Sequence, residues 1–141
     1  MPESLSVTTT INGAVAVIRF NRPEKLNAFD ESQRSAFRDA AERVNSDDDI
    51  RVVILTGQGR AFSAGADLSE SMPDDLDVEQ GLILSYKPAL MAITQAPKPW
   101  ISAVNGAAAG IGSAFAMACD LTVMGKGAYL YQAFSAIGFI P

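Results

Sequence analysis

The chain has 141 residues, enough for about one domain, and 48% of them are apolar, so it can bury a hydrophobic core. The net charge is −5, with 11 basic and 16 acidic residues and no basic cluster, which argues against a nucleic-acid-binding surface. The sequence contains no histidine, which excludes Ser-His and Cys-His catalysis and every metal site that needs histidine.

The first third of the chain predicts two strands followed by a helix. Residues 5–20 contain the two strands, joined at the hairpin signal Asn12-Gly13. Asp30 can cap the helix, and Gln33 can reach back to the cap as in a capping box. The helix is predicted to bury one apolar face, whose residues recur at helical spacing: Phe37, Ala40, Ala41 and Val44.

The middle of the chain predicts a buried strand, a loop and an interrupted helix. Residues 51–55 are a β-branched apolar run, and residues 56–65 are predicted to form a loop with three glycines. Residues 69–80 are acidic and are predicted to lie on the surface. A helix should follow over residues 78–95, kinked or broken at Pro88. Its predicted buried side consists of Leu82, Ile83, Leu90 and Ile93.

Residues 100–120 carry no charge before Asp120 and predict a strand, a glycine-rich turn and a buried helix. The turn occupies residues 105–112 and the helix residues 113–119. The first turn of a helix leaves N–H groups without intrahelical partners, so it can hold a phosphate or an oxygen that gains negative charge. Close packing of a core helix would explain the same glycines equally well.

The end of the chain predicts two more strands and then stops. Residues 121–124 and 128–131 are strand-like, and the last ten residues are apolar with no closing helix. The alternation of strands and helices predicts an α/β protein with at least partly parallel pairing. We expect one domain over residues 1–141, interrupted at its end.

The sequence also indicates a cellular compartment. The single cysteine, Cys119, cannot form an internal disulfide, which fits a reducing environment, and its apolar surroundings predict an inert core thiol. The polar first ten residues lack the apolar segment of a signal peptide. The stretch 100–120 is too rich in small residues for a membrane span. We therefore expect a cytoplasmic protein with no membrane partner.

The glycine-rich turn has two interpretations. Short-chain dehydrogenases bind NAD(P) with a similar turn, but here it lies about a hundred residues into the chain and no Tyr-x-x-x-Lys pair is present. The alternative uses three motifs in order: NRPEKLNAF (21–29), LTGQGRAFSAGADL (55–68) and PKPWISAVNGAAAGIGSAFAMACDL (97–121). Together they closely resemble the crotonase superfamily of enoyl-CoA hydratases and isomerases, from about residue 7 to the end.

This resemblance implies a fold and an assembly. Members of the family form a spiral of β-β-α units, usually followed by C-terminal helices that build a homo-oligomer, a trimer or a hexamer. Those helices are absent from the 141 residues. We therefore expect a poorly covered apolar face on this chain and a tendency to associate.

The resemblance also implies an acyl-CoA substrate, with coenzyme A as part of that substrate and no separate cofactor or metal. The backbone N–H groups of Ala66 and Ile111 would hold the thioester carbonyl oxygen. Negative charge gathers on this oxygen during the reaction, and losing one such donor typically costs a few kcal/mol. Backbone donors need no special side chain, so Ala and Ile can serve.

By the same resemblance, several residues would lie along the CoA part of the substrate. They are Arg22, Lys25, Asn27, Ala28, Ser63, Ala64, Asp67 and Gly110. Arg22 and Lys25 would meet phosphates, although a solvated surface charge explains either residue equally well. We expect Asp67 to cap the segment after it and not to transfer protons.

Two departures from the family pattern bear on the reaction. The hydratases use two glutamates to activate water, and Ala114 and Phe134 stand at those positions, where neither can transfer a proton. Residues 131–141 look more like isomerases of aromatic-acid breakdown, some of which use an aspartate that would fall just past Pro141. An isomerase is therefore favoured. The alternative is a catalytically silent module that binds CoA esters or proteins. A solvated loop is the simplest interpretation of the remaining candidate acids, Glu70, Asp74, Asp75 and Asp77.

Overall fold

The structure, a computed structural model, describes residues 5–70, 77–138 and 140. Its strands are β1 (Val7–Asn12), β2 (Val15–Phe20), β3 (Val52–Gly57), β4 (Ala61–Ser63), β5 (Trp100–Val104), β6 (Ala107–Ala109), β7 (Leu121–Met124) and β8 (Tyr129–Tyr131). Its helices are α1 (Glu31–Ser46), α2 (Val78–Ser85), α3 (Lys87–Thr94) and α4 (Ile111–Met117), with short 3-10 helices at Pro23–Lys25 and Ala133–Ile137.

The strands form two sheets that wind together as a spiral. The larger sheet has the order β1-β2-β3-β5-β7 and the smaller one β4-β6-β8. Only the β1–β2 pair is antiparallel among these strands. From β3 onward, each turn of the spiral gives one strand to the larger sheet, the next strand to the smaller sheet, and then a helical segment. The predicted β-β-α units and parallel pairing are confirmed.

The first hairpin forms one residue later than predicted. Asn12 belongs to β1 and pairs with Val15, so the turn consists of Gly13 and Ala14. Gly13 adopts a φ of 59°, a left-handed conformation that glycine takes at little cost. The glycine, and not the asparagine, therefore supplies the special conformation of the turn.

Helix α1 begins at the predicted cap, but only half of the capping box forms. Asp30 accepts a hydrogen bond from the Gln33 amide at 2.8 Å. The Gln33 side chain does not return to Asp30, because it is fully buried and donates to the Asn27 carbonyl at 3.2 Å. The predicted apolar face is confirmed, since all four of its residues are buried.

Two strands of the smaller sheet were not predicted from the sequence, whereas β8 was predicted over residues 128–131. Residues 56–65 were predicted as a loop and residues 105–112 as a turn, but β4 and β6 lie within them. Each is only three residues long, and β6 lies between β4 and β8 and pairs with both. So short a segment carries no detectable periodicity, because its identity as a strand depends on its partner.

The predicted helix over residues 78–95 is two helices that meet at Tyr86. Pro88 lies in the first turn of α3, where its missing N–H costs little. Ile93 is buried as predicted, but Leu82 and Ile83 are 47% and 46% exposed, so their predicted burial is wrong. The break at Tyr86 interrupts the helical phase, so a pattern counted through one continuous helix does not apply to α2.

An aromatic cluster forms the centre of the core. The Phe20 ring lies within 5.9 Å, centroid to centroid, of four other phenylalanine rings. Phe29 and Phe115 stack at 4.6 Å, and Trp100 meets Phe37 at 6.0 Å. Phe29 is the last residue of the first motif and Phe115 belongs to α4 in the third motif, so this cluster joins two of the motifs found in the sequence.

The outer strands of both sheets expose apolar side chains. Strands β7 and β8 each end their sheet, and in the described residues neither has a partner on its outer side. Leu121 and Val123 are 62% and 63% exposed, and the other exposed apolar residues here are Met117, Met124, Tyr129, Leu130 and Tyr131. The poorly covered apolar face is therefore present, whereas association stays a prediction.

Within the described ranges, every helix is too short or too polar to cross a membrane.

Candidate active site

The Ala66 segment follows β4 and is fixed by two backbone hydrogen bonds to one residue. The Phe29 amide donates to the Gly65 carbonyl at 2.7 Å, and the Asp67 amide donates to the Phe29 carbonyl at 2.9 Å. In such a parallel bridge the residue between the two bonded groups directs its own N–H to the opposite side. The Ala66 N–H accordingly has no acceptor among the described residues.

The second segment is the first turn of α4. Gly110 precedes the helix with a φ of 53°, and its amide donates to the Tyr131 carbonyl at 2.8 Å. The Gly110 carbonyl accepts from the Ser113 hydroxyl at 2.7 Å. Ile111 is the first helical residue, and its N–H finds no acceptor in the part of the chain that is described, as the geometry of a helix start requires.

Glycines bring these two segments into direct contact. A side-chain carbon on Gly65 would lie 2.9 Å from the Ala109 oxygen and 3.8 Å from the Gly110 Cα, and one on Gly112 would lie 2.7 Å from the Ser63 oxygen. Backbone can approach this closely only where no side chain intervenes. Ala66 follows Gly65 and Ile111 follows Gly110, so the two residues belong to segments that are in direct contact.

The buried turn at Asn27 is hydrogen-bonded to the chain that leads into the Ala66 segment. Asn27 has a φ of 57° and is fully buried. Its side-chain oxygen accepts from the Arg22 amide at 2.9 Å, and its side-chain nitrogen donates to the Gln58 and Ala61 carbonyls, each at 2.9 Å. The side chain that resemblance assigned to CoA is thus occupied in joining three backbone segments.

Ser63 has a similar internal role, whereas its neighbour Ala64 is exposed. The buried Ser63 hydroxyl donates to the Asn27 carbonyl at 2.8 Å and accepts from the Gly65 amide at 3.2 Å. Ala64 is tied to this turn by its amide, which donates to the Leu26 carbonyl at 2.9 Å. Ala28 is buried and Lys25 is exposed. Of these predicted CoA contacts, Lys25 and Ala64 are the ones that solvent reaches.

The guanidinium group of Arg22 is mostly buried and has three partners within the protein. One guanidinium nitrogen lies 3.1 Å from a carboxylate oxygen of Asp67 and 3.0 Å from one of Asp30, and the other donates to the Ala28 carbonyl. The Arg22 side chain is 16% exposed. A phosphate contact for Arg22, which stays a prediction, would have to compete with these three acceptors.

Asp67 caps the segment that follows it, as predicted. One carboxylate oxygen accepts from the Ser69 hydroxyl at 2.6 Å and from the Ser69 amide at 3.1 Å. The hydrogen bonds from the hydroxyl and the amide of Ser69, and then the contact with Arg22, lower the pKa of the Asp67 carboxyl to about 2. A carboxylate that stays ionised above that pH is a poor proton donor at neutral pH.

The candidate acids in the described residues also have structural partners. Glu70 accepts from the Glu31 amide at 2.7 Å and from the Arg34 guanidinium at 2.8 Å. Glu70 is thus a partly exposed loop residue with structural partners: it closes the N-terminus of α1 by accepting from the Glu31 amide, and it forms an ion pair with Arg34. Asp77 caps α2 by accepting from the Gln80 amide at 2.7 Å. Asp74 and Asp75 lie outside the described residues.

A polar pair missed in the sequence lies beside the first turn of α4. The Gln132 side-chain nitrogen donates to the Ser113 hydroxyl at 3.0 Å. Ala114 is the next residue of the same helix, and Phe134 lies in the 3-10 helix that follows Gln132. The only sequence signal was the presence of two hydrogen-bonding side chains in an apolar stretch.

Two other features lie apart from this site. An open cleft of about 950 Å³ lies on the surface between α1 and α3, and none of the predicted site residues lines it. Cys119 is buried in the core, as predicted. Burial, and then the neighbouring charge of Asp120, raise the pKa of its thiol to about 12. Neither feature adds chemistry to the Ala66–Ile111 region.

The chain is similar in sequence to proteins of one enzyme family. A family model described as enoyl-CoA hydratase/isomerase matches residues 10–141. The chain is 40% identical over 131 residues to a probable enoyl-CoA hydratase of Rhodobacter capsulatus, covering 93% of this chain and 50% of that protein. It is 35% identical over 139 residues to 1,2-epoxyphenylacetyl-CoA isomerase of Escherichia coli, covering 96% and 53%.

A solved structure shares the fold. It is that of a putative enoyl-CoA hydratase from Thermobifida fusca in complex with acetoacetyl-CoA, and it matches with a TM-score of 0.80 and 28% identity. The match covers 97% of this chain and 57% of that one. The chain spans about half the length of the curated relatives it matches.

Proposed function

The chain belongs to the enoyl-CoA hydratase/isomerase family, and from this membership we propose that the protein binds an acyl-CoA thioester and stabilises an enolate on the N–H groups of Ala66 and Ile111. The observation that carries the proposal is the contact of Gly65 with the Ala109–Gly110 turn. Ala66 and Ile111 directly follow these contacting segments, and neither N–H group has an acceptor among the described residues. Relatives named for hydratase and isomerase reactions support the substrate class.

The two donors suit the charge that develops in such a reaction. When a proton leaves the carbon beside a thioester carbonyl, negative charge moves onto the carbonyl oxygen. Fixed donors stabilise this oxygen more in the transition state than in the substrate, and each is worth about 3–4 kcal/mol. The Ile111 N–H begins α4, so the partial positive charge of the helix start adds to the effect.

The CoA part of the substrate would lie against the outer surface of the Asn27 turn. Because the side chains of Asn27 and Ser63 are buried and bonded internally, we assign the contact to the main chain around Ala64 and to the exposed Lys25. A lysine on an exposed turn can pair with a phosphate without losing an internal partner.

Isomerisation is favoured over hydration. Ala114 and Phe134 occupy the positions where the hydratases of the family carry their two glutamates, and neither residue can activate water. An isomerase needs a single carboxylate to carry the proton from one carbon to another. We do not assign that carboxylate to Glu70 or Asp77, since both already accept hydrogen bonds from backbone amides.

Deuterium exchange tests the proposal on the protein as expressed from its own gene. The protein is incubated in deuterated buffer with a saturated and an unsaturated acyl-CoA, and label at the carbon beside the thioester is followed by mass spectrometry. We expect exchange well above the buffer rate and migration of the double bond without addition of water. Tight binding without exchange would favour the silent module, and a hydrated product would overturn the isomerase assignment.

A further inference from the structure

The direction of the Ala66 N–H depends on its neighbours, because Ala66 itself has no side chain that could hold it. Both flanking peptide groups are bonded to Phe29, through the Gly65 carbonyl at 2.7 Å and the Asp67 amide at 2.9 Å. The Gly65 carbonyl and the Ala66 N–H belong to one planar peptide group, so the bond from the Phe29 amide fixes the direction of that N–H, and a shift of the next group would move Ala66 itself. Whatever holds Phe29 and Asp67 together therefore also aims the donor.

The Arg22 side chain links the same two backbone segments, residues 28–30 and the Ala66–Asp67 segment. It contacts the residue on each side of Phe29, namely the Ala28 carbonyl and the Asp30 carboxylate, the latter at 3.0 Å. It also contacts Asp67, the residue after Ala66, at 3.1 Å. We propose that Arg22 is a positioning residue that fixes the Ala66 N–H for the thioester oxygen by holding Asp67 against the Ala28–Asp30 segment. This inference rests on the proposed function of Ala66.

Arg22 is suited to this role because its own backbone is fixed. Its amide donates to the Asn27 side chain at 2.9 Å, and its carbonyl accepts from the Asn27 amide at 2.9 Å. A planar guanidinium presents several donors in fixed directions, so one arginine can serve three acceptors at once. A lysine at this position would supply one charged nitrogen and could not span all three.

Loss of Arg22 would change the electrostatics at the donor. Asp30 and Asp67 approach the same guanidinium nitrogen, so without it two carboxylates face each other with no cation between them. The Arg22 and Asp67 side chains are 16% and 11% exposed and the Asp30 side chain is 27% exposed, so water screens these charges only in part. Repulsion between the carboxylates would move Asp67, and with it the Ala66 peptide group.

This role makes a different prediction from the phosphate contact that resemblance assigned to Arg22. A residue that contacts a phosphate contributes to the binding of CoA whether or not a thioester is attached. Its loss therefore raises KM and weakens the binding of free CoA. A positioning residue for Ala66 acts on the carbonyl oxygen, so its loss lowers kcat and leaves free CoA binding nearly unchanged.

The test compares four variants of the protein as expressed from its own gene: Arg22→Gln, Arg22→Lys, Asp67→Asn and Arg51→Gln. Arg51 is exposed and takes part in no ion pair within the described ranges, so its variant controls for the loss of one positive charge. Three quantities are measured: the dissociation constant of free CoA, kcat for proton exchange, and the 13C NMR shift of the labelled thioester carbonyl in a bound acyl-CoA.

We expect Arg22→Gln to reduce the carbonyl shift and to lower kcat by roughly 10- to 100-fold, since a misplacement of about 1 Å can cost about 100-fold. Free CoA affinity should change by less than about twofold, because no uniform binding contact is removed. Asp67→Asn should show the same pattern more weakly, and Arg22→Lys should recover only part of the loss. Arg51→Gln should match the unmodified protein.

The outcomes separate this inference from the function on which it rests. If the unmodified protein shows no carbonyl shift, the proposed function fails and this inference fails with it. If the unmodified protein shows the shift and Arg22→Gln keeps it while binding free CoA at least tenfold more weakly, only the positioning role is overturned. Asp67→Asn keeps the size and the hydrogen-bond acceptor of the aspartate, so it provides the same readout if Arg22→Gln fails to fold.

Discussion

The Cα of Gly65 faces the carbonyl of Ala109 with no space between them for a side chain. A Cβ on Gly65 would lie 2.9 Å from that oxygen, and Gly65 also adopts a φ of 98°. This contact joins the end of β4 to the end of β6, and the residues that follow are Ala66 on one side and the Gly110–Ile111 turn on the other. The two proposed donors therefore depend on one backbone contact.

Gly65→Ala should damage both the stability and the site. The added methyl group would force the chains apart and would require an unfavourable positive φ, for a loss of about 1–3 kcal/mol in the free energy of unfolding. Gly127→Ala is the matched control, because a Cβ there meets nothing within 4 Å and the residue needs no positive φ. Urea denaturation measures both variants. Equal stability of the two would show that the contact is looser than the structure indicates.

The Ile111 N–H can be removed without removing the helix. Proline is favoured at the first position of a helix, so Ile111→Pro should keep α4 while deleting the donor. We expect kcat for proton exchange to fall by about 100- to 1000-fold, the usual effect of losing one oxyanion donor. Ile111→Ala retains the N–H and should retain most of the rate. Similar rates for the two variants would exclude Ile111 as a donor.

Much of the fold follows from local pattern in the sequence. The buried face of α1 was predicted because its apolar residues recur at helical spacing, and β3 because a short β-branched apolar run is typical of a buried strand. Strands β4 and β6 were missed because three residues such as Ala107–Ala109 become a strand only through their partners. Leu82 and Ile83 were assigned to the wrong side because the break at Tyr86 depends on packing that the pattern does not contain.

The site was only partly accessible from the sequence. Resemblance predicts Ala66 and Ile111 as donors, and the structure shows through Gly65 that the two segments carrying them are in contact. The internal bonds of Asn27 could not be foreseen, because an asparagine in a motif can serve a ligand or the backbone equally well. The same holds for Arg22, because its contact with Asp67, 45 residues away in the sequence, forms only in the fold.

The ionisation of Asp67 gives a pH prediction with a definite sign. Its folded pKa of about 2 lies below the ordinary value of about 3.9, so the carboxylate stabilises the folded state at neutral pH. That contribution should be fully present above about pH 4 and be lost as the pH falls towards 2. A 13C titration of the Asp67 carboxyl and a comparison of the acid unfolding of Asp67→Asn with the unmodified protein measure it. A midpoint near 4 would contradict the observed hydrogen bonds from Ser69.

Cys119 should be chemically silent in the folded protein. Burial raises the pKa of its thiol to about 12, and the thiolate is the reactive form, so almost none is present at pH 8. Its Sγ also lies 3.6 Å from the Phe115 carbonyl, within the core. An alkylating reagent at pH 8 should label it only after addition of denaturant. Rapid labelling without denaturant would mean that α4 opens readily.

The exposed face of β7 and β8 predicts that a polypeptide of residues 1–141 associates in solution. Large apolar patches without cover favour contact, and an unpaired strand edge adds free backbone groups to that attraction. Val123→Lys places a charge in the middle of β7, where 63% of the residue is exposed, and should reduce association without harming the core. Leu84→Lys changes an equally exposed position on α2 and should have little effect. Sedimentation velocity over a concentration series distinguishes them. A clean monomer for the unmodified polypeptide would contradict the prediction. If the two lysine substitutions reduced association equally, β7 would not be the contact surface.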